Sequence, residues 1–349
     1  MTPTDPVSSA ATGLQEKGPE ATGRKAAGLT GAAPAATLTR RASLAAAAAL
    51  PASIAVGAAG LLAPGRAAAQ AAPAGLPMAP WYRFPLGAFE VTVLLAGHRQ
   101  LDDPHGTFGT DATDADFEAL SAAHFLPTDA AINFFQPVVV RTPEALILFD
   151  TGLSADGLTA AMQAADIDPA AITHVVLTHM HGDHIGGLAG PSGETFPKAQ
   201  PVAGRVEFDH WATTGNEGFE AKVRPLEPRM TFLADGDTVA PGITAELAAG
   251  HTPGHMIFHL ESEGARLVLT ADTANHFVWS LGRPDWQVRF DADKQMAAET
   301  RKRVFGRIAE ERLPFIGYHM PFPAVGYVTA EDEGFRFTPV SYQTVLGLG

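Results

Sequence analysis

The chain has 349 residues, 46% apolar and 18% charged, and its lack of Cys excludes a disulfide scaffold, a thiolate metal site and a cysteine nucleophile. The formal charge is −14; residues 1–69 hold six Lys/Arg and three Asp/Glu, which leaves −17 on the remainder. A body that acidic argues against nucleic acid and disfavours anionic membrane surfaces as partners, since both are bound through clustered cations.

Up to Leu38 the chain is Ala, Gly, Pro, Thr and isolated charges with no apolar period, too little hydrophobic material to fold. Thr39-Arg40-Arg41-Ala42-Ser43-Leu44 then opens an Ala/Leu/Ile/Val run that reaches Ala63, and Arg66 follows. Ala67-Ala68-Ala69-Gln70-Ala71 offers small-x-small cleavage after Ala69 or Ala71. This layout resembles a twin-arginine export signal, with Ser43 where such signals usually carry Phe. The expectation is a leader over 1–69 that is removed, leaving a periplasmic or secreted protein. No stable membrane anchor then remains, because an alanine-rich run is a poor permanent span.

Residues 70–349 are long enough for one domain and carry no linker-like segment or repeat. β-rich runs bounded by Gly, Pro, Asp or Asn predict strands at Phe89 to Leu95, Ala131 to Val140, Leu146 to Phe149 and Val175 to Thr178. Further strands are expected at Thr244 to Leu247, Met256 to Leu260 and Leu267 to Thr270. Helical spacing covers Gly157 to Ala165 and Asp291 to Glu311. In the second, Met296, Val304, Ile308 and Leu313 form an apolar stripe, with Lys294, Glu299, Arg301 and Arg307 towards water. Clustered strands with helices between them predict an α/β protein of two packed sheets flanked by helices.

The chemistry concentrates in Thr178-His179-Met180-His181-Gly182-Asp183-His184. Residues two apart in extended chain face the same side, so His179 and His181 can aim at one point. Gly182 is expected to permit a tight turn that sends Asp183 and His184 to a neighbouring point. Three imidazoles this close repel when protonated and gain little when buried and neutral, unless a cation orders them. One loop cannot close a metal site. His251 in Gly250-His251-Thr252-Pro253-Gly254-His255, Asp272 after Leu267–Ala271, and His319 after Gly317-Tyr318 each stand where an apolar run gives way to a loop. His174 and His259, on apolar edges, read as structural.

Taken together and in this order, Asp150-Thr151-Gly152, His179–His184, the His251 turn, Asp272 and His319 resemble the metallo-β-lactamase superfamily over roughly Phe84 to Tyr342. The resemblance implies a four-layer αβ/βα sandwich of two mixed sheets. By position it implies one metal on His179, His181 and His251 and a second on Asp183, His184 and His319, with Asp272 bridging. Zinc is the default ion, with manganese, cobalt and iron open, because seven N/O donors do not select sharply. Asp150 is expected to orient ligands from behind, and His255 to support rather than bind. Two such cations about 3.5–4 Å apart share an activated hydroxide, which makes hydrolysis the expected reaction. Asp272 and Asp183 are the carboxylates expected to serve catalysis, Asp183 secondarily as a proton shuttle.

The missing Cys excludes the lactamase subclasses that use it as ligand, and His181 departs from the flavodiiron pattern. The acidic body argues against the nucleases, and the strand-like end from Val325 argues against glyoxalase II-like enzymes. Thr178–Leu188, His319-Met320-Pro321-Phe322-Pro323-Ala324-Val325-Gly326 and Gly334–Tyr342 are similar to the methyl parathion hydrolase-like group. That likeness implies an aromatic pocket over the metals, with Phe135 and Trp211 at comparable positions and His276, Phe277 and Trp279 as further candidates. Such a weakly charged pocket favours small apolar substrates. Organophosphate triesters or related esters come first, acyl-homoserine or other lactones are the alternative, and a metal-binding protein without turnover is a minor one. A homodimer is the expected assembly.

Overall fold

Leu146–Phe149 and His174–Leu177 are apolar at nearly every position, a pattern that requires cover on both faces of the sheet that holds them. In the computed structural model, which describes residues 78–347, both strands are central in a seven-stranded sheet. Its order is Trp81–Leu86, Phe89–Leu94, Val138–Arg141, Leu146–Phe149, His174–Leu177, Gln200–Gly204 and Thr231–Leu233. A second seven-stranded sheet runs Thr238–Ala240, Ile243–Leu247, Met256–Ser262, Ala265–Ala271, Phe315–Gly317, Val325–Glu331 and Gly334–Pro339. Both are mixed. The last four strands of the first sheet are parallel, as are Ala265–Ala271 and Phe315–Gly317; the other pairs are antiparallel. The leader expected over 1–69 lies outside the described residues.

Parallel neighbours need crossovers, and these supply the outer layers. Ala155–Ala164 joins Leu146–Phe149 to His174–Leu177, and Lys294–Glu310 joins Ala265–Ala271 to Phe315–Gly317. Ser154 and Asp293 accept the free N–H groups that start these two helices. Alternation along each strand divides the core. Ile147, Phe149 and Val176 face Phe258, Leu260 and Leu269 of the other sheet, whereas Leu148, Val175 and Leu177 meet Leu158 and Met162 of the first helix. The result is the four-layer sandwich of the metallo-β-lactamase fold.

Three local expectations fail, each for a physical reason. The run 131–140 is two strands in different sheets. Ala131–Phe135 pairs with Gly97–Leu101 as a separate ribbon, and Val138–Arg141 enters the first sheet after Pro137, which has no N–H to continue a ladder. Met296 is 44% exposed rather than part of the buried stripe, which Val304, Phe305 and Ile308 supply. Arg301, expected in water, is 1% exposed because it has a buried carboxylate and three main-chain carbonyls to satisfy it.

Candidate metal centre

Parallel strands expose their carboxyl ends along one edge, and the polar residues gather there. Asp150 follows Leu146–Phe149, His179 follows His174–Leu177, Asp272 follows Ala265–Ala271 and His319 follows Phe315–Gly317. Two of these exits use left-handed backbone that non-glycine residues rarely adopt, at Asp150 (φ 59°) and Ala271 (φ 43°). After His181 a helical turn, Gly182–Ile185, carries Asp183 and His184 inward. Gly182 itself is not left-handed and has open space where a Cβ would stand, so the turn does not depend on it. Close approach matters instead at Gly187, where a Cβ would lie 2.1 Å from the Thr151 carbonyl oxygen.

All seven expected donors converge. His179 Nε2, His181 Nδ1 and His251 Nε2 form a triangle with edges of 3.0, 2.9 and 3.2 Å. Beside it, His319 Nε2 lies 3.4 Å from Asp183 Oδ2, and His184 Nε2 lies 3.7 Å from the same oxygen. Asp272 stands between the groups: Oδ2 is 3.3 Å from His251 Nε2 and 3.1 Å from His319 Nε2, and Oδ1 is 3.2 Å from His184 Nε2. His184 Nε2 and Asp272 Oδ1 are buried and make no hydrogen bond. N/O donors held this close, two of them buried without a partner, fit divalent cations, and the set suits zinc or a similar ion.

The outward ring nitrogens fix the tautomers. His184 Nδ1 donates to Asp150 Oδ2 at 2.9 Å. Asp150 also accepts from the Thr178 N–H and hydroxyl, and the Thr178 hydroxyl lies 3.1 Å from His179 Nδ1. One carboxylate therefore orients both histidines at the ends of the loop. His319 Nδ1 donates to the Phe134 carbonyl at 2.7 Å, and the Gln136 amide donates to the carbonyls of Tyr318 and Met320 on either side. His255 sits behind, as expected: its Nδ1 donates to the Ala248 carbonyl and its Nε2 accepts the Asp272 N–H.

Three further supporting residues escaped sequence reasoning. Asp291 accepts from His251 Nδ1 at 2.8 Å and from Arg301 at 2.9 Å. Asn275 donates its amide to Asp272 Oδ2. Glu207, fully buried in the helix Arg205–Trp211, accepts from the Met180 N–H, the Trp211 indole, the Thr252 hydroxyl and the Gly254 N–H. It thereby ties the loop of His179 and His181 to the turn of His251. The only trace in sequence was Glu207 itself, a carboxylate amid an apolar helix face.

Electrostatics divides the centre. Burial holds His179 well below the usual imidazole range, with the neighbouring His184 adding to it. Burial, then His251, brings His181 and His255 each to about 3. Burial opposes charge on His184 and His319 too, but the surrounding carboxylates outweigh it and raise both; Asp272 acts on each most strongly. Burial raises Glu207, against the pull of its four donors.

A cavity of about 430 Å³ opens over the donors, with His181, Asp183, His251, Asp272 and His319 on its floor. Phe135 lines it, as expected, together with Leu101, Phe108, Leu153 and Phe290. Trp211, His276, Phe277 and Trp279 do not. Trp211 packs edge-on to His181 with its N–H committed to Glu207. His276 is buried in a stack with Trp279, 3.9 Å between centroids, and burial lowers it to about 3. Phe277 packs against the core near Phe337. The cavity is also less neutral than expected, because Arg99 and Arg289 line it.

A profile of the metallo-beta-lactamase superfamily matches residues 137–314, just over half of the chain. The chain belongs to that superfamily. Within it, the atrochrysone carboxyl ACP thioesterase of Aspergillus terreus is 30% identical over 128 residues, 36% of this chain and 35% of the relative. N-acyl homoserine lactonase AttM of Azorhizobium caulinodans is 31% identical over 131 residues, 34% of this chain and 48% of the relative. The chain thus spans less than half the length of these curated relatives. The fold matches the solved structure of AidC, described as a dizinc quorum-quenching lactonase, with a TM-score of 0.69 and 24% identity. That match covers 75% of this chain and 97% of the other.

Proposed function

We propose that the protein is an exported dinuclear metallohydrolase that cleaves carboxylic esters and lactones. One observation carries the reading: seven N/O donors from four strand ends present their lone pairs to two adjoining points beneath a small-molecule cavity. His179, His181 and His251 would hold one ion and Asp183, His184 and His319 the other, with Asp272 shared and zinc the default. Bound there, the ions supply Lewis acidity and water acidic enough to attack near neutral pH.

The chain's own groups do the rest. Asp150 and Asp291 keep the ligand imidazoles in the tautomer that leaves a lone pair inward. Asp183, half-buried at the cavity floor, is the carboxylate placed to move a proton to a leaving group. Phe108, Phe135 and Phe290 exclude water from the apolar part of a substrate.

The lactonase and thioesterase names of the relatives support an activated carbonyl as the target. A second reading, aryl phosphotriesters cleaved as in the methyl parathion hydrolase-like group, is favoured by the three phenylalanines of the wall. Metal analysis of the purified protein, followed by turnover of lactones, aryl esters, aryl phosphotriesters and β-lactams, tests both. Two ions per chain with fastest turnover of lactones or esters is expected; phosphotriesters outpacing both would favour the second reading. Metal uptake with no turnover on the panel would overturn the proposal.

A further inference from the structure

Of the described arginines, only Arg99, Arg289 and Arg312 have no carboxylate within 4.0 Å. Two of these three line the same cavity. In a chain with 38 acids against 24 bases, cations left unpaired at one opening are unexpected. The placement is built into the backbone. Arg99 sits on Gly97–Leu101 directly opposite Asn133 of Ala131–Phe135, and cross-strand partners emerge on one face of a ribbon. Both side chains line the cavity. Arg289 enters from another segment, between the Thr107 carbonyl that its N–H reaches and the Phe290 ring, 4.9 Å from its guanidinium carbon. Neither guanidinium makes a hydrogen bond among the described residues, so their donors are free for a ligand. The cavity's own acids, Asp183 and Asp272, face the metal donors on the floor.

Arginine stays charged at any working pH, and its planar fork matches a carboxylate with two parallel hydrogen bonds. A cavity of about 430 Å³ does not exceed the screening length of roughly 8 Å at physiological salt in span, so both charges, though exposed, still act on its contents. We infer that the substrate carries a carboxylate in addition to the ester or lactone that is cleaved, and that Arg99 and Arg289 hold this carboxylate at the cavity mouth. This inference rests on the hydrolase reading above and narrows its substrate class from neutral apolar esters to anionic ones.

The test compares 4-phenoxybutanoate with 4-phenoxybutan-1-ol, which share shape and lack a cleavable bond, as ligands of the metal-loaded full chain. Calorimetry or ligand-observed NMR reads the binding. The acid should bind about tenfold more tightly, a gap that closes in Arg99→Gln/Arg289→Gln and in high salt. Charge reversal in Arg99→Glu/Arg289→Glu should invert it. Equal binding by the wild type, or a preference that survives in the double variants, would overturn the inference; survival would put the anion on the metal ions. In parallel, kcat/KM for 4-nitrophenyl hydrogen glutarate over 4-nitrophenyl butyrate should exceed tenfold and fall in the Arg99→Gln/Arg289→Gln protein. Turnover of both esters without that ratio sinks the inference alone. Selective binding without turnover of either sinks the hydrolase reading and leaves only the anion site at Arg99 and Arg289 standing.

Discussion

The two donor groups of the centre are built differently. The triangle of His179, His181 and His251 contains no carboxylate of its own, and burial, reinforced by neighbouring imidazoles, opposes charge on His179 and His181. The group of Asp183, His184 and His319 carries its own acid and is half-open at Asp183. Their supports differ as well. The triangle depends on remote helices, through Glu207 and through Asp291 with Arg301, whereas the second group leans on Asp150 and the main chain at Phe134. A neutral imidazole site is thus a problem of positioning, and an acidic one is largely a problem of local charge.

Asp272, the carboxylate between the two donor groups, offers the severest test of this contrast. Asp272→Ala should remove at least one ion per chain and lower kcat by at least about 10²-fold, read by metal analysis alongside turnover. Two retained ions at near-normal rate would show that the groups are independent. Next comes Glu207→Gln. It keeps the volume but sets an amide N–H₂ against donors, so the two loops should lose register. We expect a loss of about 2 kcal/mol, seen as a fall in Tm of several degrees, together with weaker metal binding at the triangle.

Asp291→Asn and Asp150→Asn sharpen the comparison. Loss of either acceptor should weaken metal binding by about 10–100-fold. Asp291→Asn should affect one of the two ions, while Asp150→Asn, which serves His184 directly and His179 through Thr178, should affect both. Stepwise metal titration distinguishes these outcomes. The smallest effect lies away from the centre, at Glu246. Burial opposes its charge, but His259, Arg303 and Arg307 bring it down to about 2. Since the folded value lies below the unfolded value of about 4.3, Glu246 with its three partners contributes stability above that pH and loses it as pH falls towards 2. Glu246→Gln should therefore flatten the loss of stability between pH 5 and 2 in denaturant titrations.

The seven converging donors were legible in sequence because each stands in a short motif at the end of an apolar run. The central strands were legible for the same reason. Glu207, Asp291 and Asn275 were not, because their partners are backbone groups and rings from distant segments that only the completed sandwich brings near. Arg301 was misread outright: a helical wheel assigns a charged residue to water and has no way to register a buried carboxylate in the segment just before the helix. The aromatic wall was half legible. Phe135 emerges from an edge ribbon into the cavity, while Trp211, His276 and Phe277 had core partners that outcompeted the opening.

The break at Gln136-Pro137 separates the cavity wall from the sheet, yet the ribbon is not mechanically free. Its Phe134 carbonyl holds the outer nitrogen of His319, and the Gln136 side chain grips the backbone on both sides of that histidine. A guest that pushes the ribbon outward therefore also swings an imidazole on the floor. Changes that widen this opening for bulkier molecules will be felt as changes in the reacting centre.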